Sequence, residues 1–148
     1  MKGNNSAYLI DGNTAPLRLT CKRCGDYSRR DLYTPSPIDA DTAVMHRSVG
    51  FTALVCDDAG TSEPGVGQNQ RPTLDRIERL GAAHNLLCIP AHMTITGSLD
   101  VARRWATSIT VVLANACTSQ PSVIIHEGRE VISQDQYQDQ NDIQLCDL

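Results

Sequence analysis

The run from Thr42 to Cys56 is apolar on both of its alternating faces. In an extended backbone Val49, Phe51, Ala53 and Val55 point one way, while Leu54 and Cys56 point the other. A strand of this kind is stable only when layers cover it on both sides, as a central strand of a sheet with helices on its faces. This single run therefore sets the expected architecture.

The neighbouring segments agree with it. Ala7-Tyr8-Leu9-Ile10 and Leu17-Arg18-Leu19-Thr20 flank the turn residues Asp11-Gly12-Asn13 and read as a β-hairpin. Pro35 and Pro37 make residues 34–41 a linker, because proline fixes φ and removes a donor. A first helix is expected over 73–81, with Thr73 as cap, Leu74, Ile77 and Leu80 as apolar stripe and Gly81 as stop. Leu86–Ile95 reads as a strand in which Pro90 demands a bulge or an edge. A second helix is expected over 98–118, since Val101, Trp105, Ile109, Val112, Leu113 and Ala116 recur at helical spacing. Val123–His126 and Arg129–Ile132 form a second tight hairpin about Gly128.

The resulting fold class is α/β, or α+β, with a mixed sheet of about five to seven strands and two packed helices. A length of 148 residues suits one domain. Residues 1–133 are expected to form it, with 1–33 as a hairpin or zinc-knuckle appendage. Residues 134–148, rich in Gln and Asp, read as a flexible acidic tail. The stretch 57–72, built from Asp, Gly, Ser, Pro, Gln and Asn, is longer than an ordinary connection, which marks it as functional or mobile.

No segment approaches the apolar length that spans a bilayer, and the N-terminus lacks a secretion-signal core, so the expected location is cytoplasmic and away from membranes. In a reducing compartment the six scattered cysteines are expected as free thiols. A net charge of −4 argues against a general polyanion binder. The charge is unevenly spread. Residues 1–30 carry Lys2, Arg18, Lys22, Arg23, Arg29 and Arg30 against Asp11 and Asp26, and residues 127–148 carry six carboxylates against Arg129. These ends can attract each other, within one chain or between copies. With one Phe, one Trp and four Tyr, the chain has few rings on which to stack bases or sugars.

Two incomplete chemical patterns stand out. In Cys21-Lys22-Arg23-Cys24-Gly25, two thiolates two residues apart can grip one tetrahedral zinc, and the glycine permits the tight turn behind them. The segment resembles one knuckle of a zinc ribbon. A second knuckle is missing, leaving His46, Cys56, His84 or the Cys88–His92 segment as conceivable further ligands. Together with Arg18, Lys22, Arg23, Arg29 and Arg30, such a site implies a zinc-stabilised nucleic-acid contact.

The second pattern is His46-Arg47-Ser48-Val49 and His92-Met93-Thr94-Ile95. On a strand, residues i and i+2 share a face, so each tetrad sets an imidazole beside a hydroxyl. The pair resembles the motifs of the two-histidine phosphodiesterases. That resemblance implies His46 and His92 as general base and acid, Ser48 and Thr94 as phosphate-holding hydroxyls, and a phosphodiester or cyclic nucleotide as substrate. His126, just before the Glu127-Gly128 turn, is explained by cross-strand packing alone.

With no complete catalytic motif, the preferred expectation is a small non-enzymatic module that works through protein–protein contacts or self-association. The phosphodiesterase and the zinc-stabilised nucleic-acid binder are the alternatives.

Overall fold

The computed structural model of the chain describes residues 6–10, 12–21, 42–59, 73–91, 103, 106–115 and 122–133. The expected N-terminal hairpin is present. Strands β1 (Ser6–Leu9) and β2 (Leu17–Cys21) pair antiparallel as a separate two-stranded sheet. Thr42 joins that hairpin to the rest, its N–H donating to Leu19 O at 2.7 Å and its hydroxyl to Arg18 O at 2.8 Å.

The main sheet has six strands in chain order: β3 (Val44–His46), β4 (Val49–Ala53), β5 (His84–Ala91), β6 (Thr110–Asn115), β7 (Val123–His126) and β8 (Arg129–Ser133). The pairs β4–β5 and β5–β6 are parallel and the others antiparallel, so the sheet is mixed, as the sequence led us to expect. The chain crosses from β4 to β5 through a 3₁₀ turn, Cys56–Ala59, and a short helix, α1, over 73–78.

Two expected elements need correction. The run from Thr42 to Cys56 is not one strand. It folds back at Arg47 and Ser48, whose φ values of 47° and 70° lie in the left-handed region. His46 thereby pairs with Val49 across a two-residue turn. Hairpin turns of this hand match the twist of the strands they join, and the usual signal for them is Asn-Gly or Asp-Gly. Arg-Ser gives no such signal. Glu127 and Gly128, with φ of 48° and 73°, make the corresponding turn between β7 and β8, and there the glycine had announced it.

Only one short helix, α1, lies among the described residues, and the expected helix over 98–118 is cut short by β6. Arg103 is helical and 106–109 turn, but Thr110–Asn115 is a strand in the middle of the sheet. Over so few residues the apolar positions satisfy a period of two as well as 3.6. The β-branched Thr110, Val111 and Val112 favour the extended form. Trp105 and the remaining segments, including 134–148, lie outside the described residues.

Register separates the two faces of the sheet. On one, Leu87, Val111 and Ile125 lie abreast, followed by Ile89, Leu113 and Val123. Each is buried, and with Leu54, Ala59, Leu74, Ala106 and Ile109 they form the core. The helix and the 106–109 turn therefore cover this face. Pro90 sits on an interior strand without penalty. Cys88 O accepts from Leu54 N at 3.0 Å, so alternate residues of β5 turn their backbone groups toward β4. The paired part of β4 ends there, and Pro90 lacks a donor where no acceptor waits.

Candidate active site

Parallel strands bring their carboxyl ends to one rim of a sheet, and the loops leaving that rim are where open α/β folds place their chemistry. Here the rim is formed by the ends of β4, β5 and β6. Past β4 the chain runs through Leu54 and Val55 and turns sharply, Asp58 N donating to Val55 O at 3.1 Å. Cys56 opens that turn. Asp58, two residues on, is fully buried. At the end of β6, Ser122 clamps the backbone of Asn115, accepting from its N–H at 2.9 Å and donating to its carbonyl at 3.3 Å. Cys56 thus stands at the junction between the carboxyl end of β4 and the turn that leaves it.

Cys88 has the opposite setting. It lies within β5, paired with Ala53 on one side and Val112 on the other. Burial pushes its thiol up to about 11. A thiol held protonated is a poor nucleophile and a poor metal ligand.

Of the two-histidine, basic and Cys-x-x-Cys residues singled out by sequence, only His46, Ser48, Arg18 and Cys21 lie among the described residues. His46 ends β3, and Ser48 lies in the turn rather than on a strand. His46 pairs with Val49, which pairs with His84 at the start of β5. Ala91 ends that strand; β5 has eight residues, so its ends stand about 23 Å apart. His46 is therefore at the far end of the sheet from Cys56. His92 and Thr94 lie outside the described residues. Arg18 is exposed on β2, while Lys22, Arg23, Cys24, Arg29 and Arg30 lie outside the described residues. Cys21 is the last residue of β2. Among the described residues, no group of three His, Cys, Asp or Glu is placed to hold a metal ion. His126 fulfils its expected structural part. Its Nδ1 and Thr110 Oγ1 share a hydrogen bond of 2.8 Å across the β6–β7 ladder.

Sequence reasoning weighed Cys56 only as a spare zinc ligand. The available signal was an apolar run ending in Cys-Asp-Asp before a long polar loop. It became readable only once the end of β4 was located.

No family model matches the chain, and no curated protein matches it in sequence. A solved structure does resemble it: a glutamate-to-glutamine mutant of the amidase from Nesterenkonia sp. AN1, showing the result of Michael addition of acrylamide at the active site cysteine. The TM-score is 0.52 at 14% identity, over 78% of this chain and 47% of that one. What is shared is the fold. The matched part spans about half of the amidase chain.

This finding corrects the functional expectation. The expectation of a non-enzymatic interaction module is the one it goes against, because the solved structure of like fold is an amidase with an active site cysteine. Zinc finds no support among the described residues. None of the described helices is long and apolar enough to cross a membrane.

Proposed function

We propose that this chain belongs to a cysteine-dependent enzyme acting on amides, with Cys56 as its nucleophile. The observation that carries the reading is the place of Cys56, at the turn leaving the carboxyl end of a parallel strand. The amidase of like fold, which reacts with acrylamide at an active site cysteine, supports it. The chemistry is acyl transfer. The sulfur bonds to the amide carbonyl carbon, the C–N bond breaks, and the amine leaves carrying the thiol proton. Water then cleaves the thioester, releasing a carboxylic acid and restoring the thiol. Cys88 takes no part, because its thiol stays protonated through the neutral range.

The test is acrylamide labelling at neutral pH with peptide mapping, combined with ammonia release from short aliphatic amides. Cys56 should be alkylated well before Cys88, and Cys56→Ser should remove ammonia release while Cys88→Ser retains it. Labelling of Cys56 no faster than that of a cysteine in an unstructured peptide, with no ammonia from any amide, would overturn the proposal.

A further inference from the structure

The 3₁₀ turn that leaves β4 holds a carboxyl that the acyl transfer at Cys56 does not use. Asp58 is fully buried. Among the other described side chains, Asp75 is half-buried and Glu78, Glu127 and Glu130 are exposed, as carboxylates ordinarily are. Taking a carboxylate out of water is costly unless neighbouring groups compensate it. Asp58 does not lack an interaction partner. The next residue, Ala59, is equally buried and belongs to the apolar core, so the turn lies where an apolar side chain costs less than a carboxyl. A carboxyl kept in such a place is explained by what it holds still.

We infer that Asp58 is a positioning residue for Cys56, fixing the backbone of the turn that carries the nucleophile. The inference rests on the reading of Cys56 proposed above. Cys56 lies midway between two fixed points. On one side Leu54 N donates to Cys88 O at 3.0 Å, which carries the β4–β5 pairing past the last residue of β4. On the other side Asp58 N donates to Val55 O at 3.1 Å, and Asp58 and Ala59 are both sealed from water. The turn packs against β5, so the strand that anchors Leu54 also backs the turn. A nucleophile must meet its carbonyl carbon at a set distance and angle, and a misplacement of about 1 Å can cost a factor of about 100. With the chain held two residues to either side, the Cys56 backbone has little freedom to drift. Asp58 acts through that backbone and not on the reacting atoms.

Steady-state ammonia release from short aliphatic amides tests it, with rates counted per folded molecule. Three variants separate shape from charge. Asp58→Glu keeps the charge but adds a methylene in a sealed site, and Asp58→Ala removes the group. Both should lower kcat about 10- to 100-fold while KM changes less than about twofold. Asp58→Asn keeps the shape and should hold kcat to within about fivefold of wild type. Should Asp58→Ala fail to fold, Asp58→Glu and Asp58→Asn decide. Ile125→Val, a core truncation on β7, should lower the melting temperature and leave kcat unchanged, so lost stability alone does not imitate the effect. Retained kcat in Asp58→Glu, or a loss in Asp58→Asn as large as that in Asp58→Ala, would overturn the inference, and the reading of Cys56 would still stand if Cys56→Ser is inactive. No turnover by wild type would overturn both.

Discussion

Asn85 lies directly over Gly50. The two are partners across the β4–β5 ladder, and a Cβ built on Gly50 would collide with Asn85 Oδ1 and approach Ile77 Cγ1 at 3.3 Å and Ala82 Cβ at 3.4 Å. The glycine is there for closeness, because it lets the segment after α1 settle onto β4. Asn85 Oδ1 is buried without a hydrogen-bond partner, so its position is set by packing rather than by a bond. Gly50→Ala should cost about 1–3 kcal/mol in urea unfolding, the usual range for overpacking. Adding Asn85→Ala should recover much of that loss. Equal costs with and without Asn85 would show that the contact is not what matters.

The buried thiol of Cys88 makes stability depend on alkaline pH. Burial disfavours the thiolate and pushes this thiol up from its ordinary 9.0 to about 11. The unfolded chain therefore gives up this proton first. Stability is fully present below pH 9 and falls as pH rises toward 11, by about 2–3 kcal/mol over the whole window. Cys88→Ala should flatten that slope in unfolding curves taken between pH 8.5 and 11. An unchanged slope would assign it to other groups.

The turn at Arg47 and Ser48 holds two ordinary residues at positive φ. Left-handed backbone costs a non-glycine residue about 1–2 kcal/mol, part of which glycine gives back through its larger unfolded entropy. Replacing the pair by Asn-Gly should raise stability by about 0.5–1 kcal/mol, read as a higher urea midpoint with an unchanged slope. A lower midpoint would mean that Arg47 or Ser48 makes contacts worth more than the strain.

Thr110 and His126 share a cross-strand side-chain hydrogen bond between β6 and β7. Thr110 is nearly buried, so the bond is shielded from water. Thr110→Val should cost about 0.5–1.5 kcal/mol, and a double-mutant cycle with His126→Ala should show coupling of similar size. Ammonia release from amides should be unaffected by His126→Ala, which separates this structural bond from the chemistry.

Local pattern determined what depends on near neighbours. The N-terminal hairpin, the start and stop of α1 and the Gly128 turn were all legible, because each rests on residues adjacent in sequence. His126 as a packing residue was legible for the same reason. Tertiary structure alone decided the rest. Thr110–Asn115 has apolar positions that suit a helix or a strand, and only pairing with β5 and β7 selects the strand. His46 and Ser48 look like neighbours on one strand until the chain reverses between them. Cys56 and Cys88 are the same residue type, each reached through an apolar run of the chain. The fold leaves one at the rim where the parallel strands end and seals the other within β5, where desolvation holds its proton. Reactivity belongs to the environment, and the environment of a side chain is assembled from segments far apart in sequence.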